Sequence, residues 1–319
     1  GAQFHSALVS FAERRGIIMK RSKGIFIAFL LPALIFYVVF MLYPLISSLG
    51  LSFFDWNGYG AKTFVGLANY RKLFGDPGYS ERFFGALKNN VVFFLLTMLF
   101  QNCIALMLAA FINIRNLKGA KFFRTVLYVP TTLSIIIVGF IWTLIYNPLW
   151  GPLNFSLGKL GLEGLKTAWL GNEKTALICI SIANAWQYTG VPMIMFLAGM
   201  QAVPDELYEA ASLDGATGWQ QFWKITFPLI MPVMFVISVI VFVSNFSAFE
   251  IIYAMAGSLG APNYSTDILG TFFYRICFGQ RLGLEPAMGV GAAIASCMFV
   301  IIGIGVIIYF RLMGKDGDL

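Results

Sequence analysis

Residues 202–232, AVPDELYEAASLDGATGWQQFWKITFPLIMP, form a long water-compatible segment in a half of the chain that is otherwise mostly apolar, as in membrane-spanning sequence. A helix is predicted to start near Pro204, because proline is tolerated at the first helical position and the carboxylates that follow complement the positive end of the helix dipole. Asp214 and Gly215 predict its end, since glycine accepts the left-handed conformation that commonly follows a helix. The segment therefore opens with one short helix.

A second short helix is predicted directly after that turn. Thr217 and Gln220 have the spacing of a capping box, in which each side chain bonds to the other residue's backbone N–H. Trp219, Phe222 and Trp223 follow at helical spacing. In a water-exposed loop these large apolar side chains would remain unburied unless they pack against another surface. Such a surface indicates a binding partner; the alternative is that both helices fold back on the chain's own membrane domain.

The overall composition is that of an integral membrane protein. Of the 319 residues, 59% are hydrophobic and 12% are charged, with a mean hydropathy of +0.78, whereas soluble domains have roughly 25% charged residues. A helix needs about 20 apolar residues to cross a bilayer core. The charge-free runs of that length, the first of them too long for a cleaved signal peptide, are residues 24–54, 89–114, 125–158, 175–204, 225–249 and 286–310.

We therefore expect an all-α membrane protein with six transmembrane helices. Its membrane domain covers residues 25–312, including a cytoplasmic loop at 202–227, and lies between a cytoplasmic N-terminal segment, 1–24, and a cytoplasmic tail, 313–319. The expected spans are residues 25–49, 89–112, 126–146, 176–201, 228–256 and 287–310, with an external loop or short-helix region over 52–88.

Basic residues set the expected orientation, because cytoplasmic loops carry an excess of Lys and Arg. The basic residues ahead of the first span are Arg14, Arg15, Lys20, Arg21 and Lys23, and those of the connection at 113–124 are Arg115, Lys118, Lys121 and Arg124. The stretch after the first span holds only Lys62. Both basic segments are therefore assigned to the cytoplasm. The net charge of +7 then indicates orientation and contact with lipid head groups, not nucleic-acid binding.

Patterns of catalysis and metal binding are missing from the sequence. Cys103, Cys179, Cys277 and Cys297 lack paired spacing, and the one histidine, His5, has no second ligand nearby, which indicates neither a disulfide framework nor a zinc site. No phosphate-binding loop G-x-x-x-x-G-K-[ST], no Ser-His-Asp set and no HExxH motif occurs. We therefore expect a protein that is not an enzyme and binds no metal or cofactor itself.

Polar side chains interrupt the fourth and fifth expected spans. The cluster at 184–189 precedes Gly190 and Pro192, and such an interruption at mid-membrane is tolerated only against protein or a watery cavity. Glu250 lies late in the fifth span, and an acid costs roughly 2.5 to 3.5 kcal/mol at the bilayer centre. We expect Glu250 to face a cavity; the alternative is a position in water at the outer membrane surface.

The segment at 209–232 resembles the EAA loop of permease subunits of binding-protein-dependent ABC importers. The matching positions are Glu209, Ala210, Ala211, Asp214, Gly215, Ala216, Phe222, Ile225, Pro228 and Pro232. The segments FVGLANYRKLF at 64–74, FFRTVLYVP at 122–130 and WGPLN at 150–154 are similar to the carbohydrate class of these permeases, the maltose-type subunits.

This resemblance implies a function as the membrane-spanning subunit of a sugar importer in a prokaryotic cell membrane, with both termini cytoplasmic. ATP and magnesium would be used by two separate ATP-binding cassette subunits, and the other partners would be a second homologous permease, an external solute-binding protein, the sugar and membrane lipids. The residues implied to couple this chain to an ATPase subunit are Glu206, Glu209, Ala210, Ala211, Leu213, Asp214, Gly215 and Ala216.

A substrate site is expected among the third, fourth and fifth spans. Sugars present hydroxyl edges and weakly apolar faces, so their sites combine amide, hydroxyl and aromatic groups. In maltose-type permeases the corresponding segment of the fourth span contacts substrate. The candidate residues are Asn184, Trp186, Gln187, Tyr188, Thr189, Ser244, Asn245, Ser247 and Glu250.

Three other functions are alternatives to this one. A permease of the same family for a polyol, a glycosylated osmolyte or glycerol phosphate stays open, although a phosphate would call for intramembrane Arg or Lys and the six expected spans contain neither. An ion-coupled secondary sugar transporter usually has an internal repeat, and none is visible. A membrane enzyme would need the catalytic residues that the spans lack.

Overall fold

A computed structural model of the chain describes residues 25–114, 117–279 and 286–316, with side chains up to residue 312. It contains two compact units, one ending at Leu51 and one starting at Ser52. The first unit contributes helix α1, Ile25–Leu51, which has a π-helical turn at Val38–Leu42. The predicted segment 1–24 and residues 317–319 of the predicted tail 313–319 lie outside the described residues.

In the described residues of the second unit, the regular elements are helices and one small hairpin. Strands β1 and β2 pair antiparallel, with Phe54 opposite Phe64 and Asp55 opposite Thr63. In chain order its elements are β1 Phe54–Asp55, β2 Thr63–Phe64, α2 Ala68–Gly75, α3 Pro77–Ile112, α4 Ala120–Thr132, α5 Ile135–Ile145, α6 Pro152–Lys159, α7 Ala176–Tyr188, α8 Gly190–Gln201, α9 Asp205–Leu213, α10 Gly218–Phe246, α11 Glu250–Ala256, α12 Leu269–Phe278 and α13 Met288–Asp316.

Four described helices, α1, α3, α10 and α13, are long and apolar enough to cross a membrane. The count becomes five if α4 and α5, which are bent by 98° at a short break, form one span. The apolar run at 176–201 is divided between α7 and α8, with Thr189 between them in helical conformation. The predicted total of six spans therefore stays a prediction, whereas a multi-helix membrane protein is confirmed.

Two expected spans have different bounds in the structure. Helix α3 begins at Pro77, well before the expected start at residue 89, because Pro77 occupies the first helical position and the Asp76 carboxylate accepts the Gly78 N–H at 2.9 Å. The charged first turns of α3 are helical but not apolar, so a search for charge-free runs missed them. The span expected at 228–256 ends at Phe246, and α11 is a separate helix.

The span expected at 126–146 is broken, which was not predicted. After a 3₁₀ turn at Val129–Thr132, Leu133 and Ser134 are extended, and α5 starts in a new direction. Pro130 lies in that turn, and a proline removes one backbone donor from a helix. The second short helix expected after Thr217 is also not separate, because it is the first turn of α10.

Three apolar clusters hold the second unit together. Each contains side chains of several helices at close to zero exposure, so the helices are fixed against one another by packing. The first cluster includes Phe93, Ile180 and Ile251, the second Ala105, Phe196 and Ile237, and the third Leu73, Phe272 and Ile294.

Candidate functional site

Helix α9 is a short helix with well-defined ends. It starts at Asp205 after extended Pro204, and it stops at Asp214, followed by Gly215 with a φ of +79°. Thr217 and Gln220 then form both hydrogen bonds of a capping box. The predicted start, stop and cap of this segment are therefore confirmed.

Much of the surface of α9 and of the start of α10 is exposed to solvent. Leu213 is 90% exposed, and Trp219 at the start of α10 is 72% exposed. An open groove of about 850 Å³, lined in part by Asn113 and Met200, lies between α9 and the ends of α3 and α8. Of the predicted coupling residues, Ala211 and Ala216 are half-buried, and those that are exposed are Glu206, Glu209, Ala210, Leu213, Asp214 and Gly215.

Two adjoining cavities lie further along the bundle, at the other end of α10. They have volumes of about 230 and 340 Å³ and share Asn184 and Tyr188 of α7 with Ser244 and Asn245 of α10. The first continues along apolar side chains of α8 and α10. The second is more polar and reaches Glu250.

The nine predicted substrate residues divide between this double cavity and its surroundings. Those that line it are Asn184, Tyr188, Ser244, Asn245, Ser247 and Glu250. Trp186 is outside it, with its ring edge-to-face on Trp142 at 5.8 Å, and Thr189 bonds to a carbonyl of its own helix. Gln187 is buried against the break between α4 and α5.

Gln101, which was not predicted as a site residue, lines the first cavity from α3. Pro192 cannot donate to the carbonyl of Tyr188, and the Gln101 side chain donates to that oxygen at 3.3 Å. A glutamine within an apolar run of more than 20 residues was the available signal, because lone polar groups in spans turn towards protein or water.

At the breaks in the two neighbouring spans, each break supplies a side-chain donor to a backbone carbonyl of the other. Thr131 Oγ1 donates to the backbone carbonyl of Gln187 at 3.0 Å, and Gln187 Nε2 donates to the carbonyl of Leu133 at 3.0 Å. Gly190 allows the approach, since a Cβ there would lie 3.0 Å from the carbonyl oxygen of Leu127. The predicted placement of this interruption against protein or a cavity is confirmed, with protein on one side and the cavity on the other.

Asn245 is a buried lining residue whose side-chain oxygen is itself fully buried and unpaired. It is 3% exposed, its Nδ2 donates to the Val241 carbonyl at 2.7 Å, and its Oδ1 has no protein partner. Its own carbonyl accepts from Asn90 Nδ2 at 3.0 Å, and Asn90 Oδ1 accepts the Leu269 N–H at 2.8 Å. The end of α10 is thus fixed between α3 and α12, and one buried acceptor beside the cavity is left unpaired.

The charge of the double cavity is negative. Glu250 is its charged lining residue, and no Lys or Arg is found among the described residues that line it. In the described part of the chain, no three His, Cys, Asp or Glu side chains are grouped as metal ligands would be. The cavity therefore offers hydrogen-bond donors and acceptors together with one carboxylate.

Comparisons with known proteins identify relatives over most of the chain. The model of the family described as binding-protein-dependent transport system inner membrane component matches residues 101–315. The probable ABC transporter permease protein YurN of Bacillus subtilis is 36% identical, over 89% of this chain and 94% of that protein. The multiple sugar-binding transport system permease protein MsmF of Streptococcus mutans is 32% identical, over 90% of this chain and 94% of that protein.

A solved structure is similar over nearly the same extent. It is a chain of a bacterial alginate ABC transporter in complex with an alginate pentasaccharide-bound periplasmic protein. The two chains superpose with a TM-score of 0.75 at 27% identity, over 91% of this chain and 94% of that chain.

The paired breaks generate a stability prediction. Thr131→Val removes the donor to the Gln187 carbonyl and is expected to cost about 1 kcal/mol, the typical value of a hydrogen bond between membrane helices. Thr132→Val is the matched control, because the Thr132 hydroxyl bonds only to Val129 of its own turn. Thermal unfolding of the detergent-purified protein measures both. Equal unfolding midpoints for the two variants would contradict the role of Thr131.

Proposed function

The chain belongs to the family of binding-protein-dependent transport system inner membrane components, and we propose that it imports a neutral sugar or oligosaccharide as the membrane-spanning permease subunit of an ATP-driven ABC importer. The observation that carries the proposal is α9, a capped and exposed helix with the sequence pattern of an EAA loop. The sugar-binding name of the relative MsmF supports the solute class.

In this proposal the protein spans a prokaryotic cell membrane six times. The bent pair α4–α5 and the consecutive pair α7–α8 each count as one span, beside α1, α3, α10 and α13. The N-terminal segment 1–24, the loop 202–227 and the tail 313–319 are cytoplasmic, as the distribution of Lys and Arg favours.

The proposed partners follow from that arrangement. A second homologous permease completes the pathway, and two ATP-binding cassette subunits bind and hydrolyse ATP with magnesium, since this chain has no phosphate-binding loop. An external solute-binding protein delivers the sugar, as a periplasmic protein accompanies the alginate transporter in its solved complex. Neither ATP nor a metal is bound by this chain.

Coupling takes place at α9. Its small residues Ala210 and Ala211 allow close approach to a cleft in an ATPase subunit, while Glu206 and Glu209 supply charge to that contact. When ATP closes the ATPase pair, α9 is displaced and the spans pivot so that the cavity opens outward. Hydrolysis reverses the movement and releases the sugar inward, and each step requires a difference in interaction energy between two states.

The double cavity is the proposed passage for the sugar. Asn184, Ser244 and Ser247 offer donors and acceptors to sugar hydroxyls, and the free Oδ1 of Asn245 accepts one hydrogen bond. The ring of Tyr188 offers an apolar face to a pyranose. Trp186, Gln187 and Thr189 support the cavity wall from behind.

Charge favours a neutral solute over the alternatives. Glu250 repels an anion, and a phosphate needs cations that the described cavity lining lacks. Glycerol phosphate is therefore disfavoured, whereas a polyol or a glycosylated osmolyte offers the same hydroxyl groups as a sugar. An ion-coupled secondary transporter is disfavoured because it leaves the exposed helix α9 without a role.

The coupling role predicts loss of uptake in an α9 variant. Glu209→Lys with Gly215→Val reverses a charge at the contact and strains a turn with a φ of +79°, so uptake is expected to fall more than about tenfold. Because both positions are exposed, the amount of membrane-inserted protein should stay unchanged. Uptake of the sugar found by a thermal-shift screen of the associated solute-binding protein measures the effect.

The matched control lies in a different loop. Gly161 also has a left-handed φ, +74°, with no atom near its missing Cβ, and Glu173 is exposed. Glu173→Lys with Gly161→Val should therefore retain uptake. Full uptake by the Glu209→Lys, Gly215→Val variant would refute the coupling role of α9.

The cavity generates a separate prediction. Asn245→Ala removes the free acceptor and is expected to lower uptake at saturating binding protein about fivefold, because one hydrogen bond to a hydroxyl is worth roughly 1 kcal/mol. Ser238→Ala is the control on the same helix, since the Ser238 hydroxyl bonds to the Met234 carbonyl outside the cavity. Unchanged uptake by Asn245→Ala, with intact assembly, would remove Asn245 from the substrate site.

A further inference from the structure

The covalent connection from α9 to α10 is poorly suited to transmit a displacement. It turns at Gly215, whose φ is +79°, and it continues through Gly218. Helix α10 then passes through a π-helical turn at Phe222–Thr226 before regular α-helix resumes. Glycine-containing turns and π-turns are common places of local adjustment, so this corner would absorb part of any push on α9.

One hydrogen bond bridges the entire corner. The hydroxyls of Tyr208 and Thr226 lie 2.8 Å apart, although 18 residues separate them in the chain. Thr226 is 5% exposed and Tyr208 is half-buried. The bond therefore joins the middle of α9 directly to the last residue of the π-helical turn, after which regular α-helix resumes.

A second contact, near the surface, also links α9 to the first turn of α10. Gln221 Nε2 donates to Ser212 Oγ at 2.9 Å and to the Ala216 carbonyl at 3.3 Å. Ser212 is four residues after Tyr208, so both lie on the same face of α9. From that face the two side chains reach Thr226 and Gln221 of α10, and both also line the groove.

Towards the rest of the chain, α9 has open space. The groove of about 850 Å³ separates it from Asn113 after α3 and from Met200 and Gln201 of α8. Within the described residues, each side-chain hydrogen bond between α9 and another segment goes to residues of the corner or of α10. Among the described residues, the side-chain hydrogen bonds of α9 to other segments thus lead to α10 and not to α3 or α8.

Helix α10 carries that displacement to the cavity. Its 29 residues extend about 44 Å at 1.5 Å per residue. Thr226 lies near one end, and Ser244 and Asn245 line the double cavity near the other. One continuous helix thus connects the contact with α9 to the proposed sugar passage.

We propose that Tyr208 and Thr226 are positioning residues that transmit the movement of α9 to α10 and so to the cavity. This inference rests on the proposed coupling role of α9 and adds the route that the movement follows. The polar contacts of α9 bypass the glycine-containing corner, and the hydrogen bond between the two hydroxyls is the main link.

The test uses the complete complex with its ATPase subunits and needs no knowledge of the sugar. Ser244→Cys, in a background with Cys103→Ser, reports cavity opening through its rate of reaction with a water-soluble maleimide. The rate is compared without nucleotide and with ATP trapped by vanadate. Tyr208→Phe and Thr226→Val are each expected to reduce the nucleotide-induced change in rate about fivefold, the effect of one half-buried hydrogen bond.

Controls separate transmission from folding. Thr226→Ser keeps the hydroxyl and should restore the response, and Thr125→Val deletes a hydroxyl that bonds only within its own helix and should leave the response unchanged. The double variant Tyr208→Phe, Thr226→Val should respond like either single variant, because both remove the same bond. Co-purification of the ATPase subunits should be equal for all of these variants.

The outcomes distinguish the two proposals. A full nucleotide response in Tyr208→Phe and Thr226→Val overturns the transmission role while α9 keeps its coupling role. Independent, additive losses in the double variant also overturn it. If the parent itself shows neither a nucleotide response nor ATPase co-purification, the proposed function fails and the transmission role fails with it.

Discussion

Inside a bilayer, no water is available to donate a hydrogen bond to a backbone carbonyl that has lost its helical donor. Leaving such a carbonyl unpaired costs several kcal/mol. The structure meets this constraint where the spans are interrupted. The carbonyls of Leu133, Gln187 and Tyr188 accept from side chains of Gln187, Thr131 and Gln101. Because each donor comes from a different helix, the interruptions also fix the positions of α3, α4 and α7.

The double cavity follows from that arrangement. The polar groups at an interrupted span must face protein or a cavity and not lipid. Near the interruption, Asn184 and Tyr188 line the double cavity together with Ser244 and Asn245. Asn90 fixes the end of α10 from the opposite side. At its other end α10 is bonded to α9 through Thr226. The two candidate sites are thus opposite ends of one helix, which suits a protein that converts movement at one surface into access at another.

The sequence predicted those features that local chemistry decides. Proline, carboxylates and glycine placed the ends of α9 correctly, because capping depends on residues within a few positions. Apolar runs also located the four helices that are long and apolar enough to cross a membrane, because hydropathy is read from the residues of the run itself. The start of α3 was missed because its first turns are charged, and the break after Thr132 was missed because its carbonyls are satisfied by a distant helix. The role of Gln101 could not be predicted either, because it depends on contacts with a distant helix. Trp186 lies outside the cavity and Tyr188 lines it because their side chains leave the helix in different directions, which depends on how that helix packs.

The central claim is that the open face of α9 binds an ATPase subunit, and protection of a single exposed side chain tests it directly. Leu213 and Leu149 are both 90% exposed, so Leu213→Cys and Leu149→Cys start with matched accessibility to a water-soluble maleimide. Binding of the ATPase subunits is predicted to slow labelling of Leu213→Cys at least about tenfold, as burial in a protein interface does, and to leave Leu149→Cys unchanged. Equal labelling of Leu213→Cys with and without bound ATPase subunits would contradict the account.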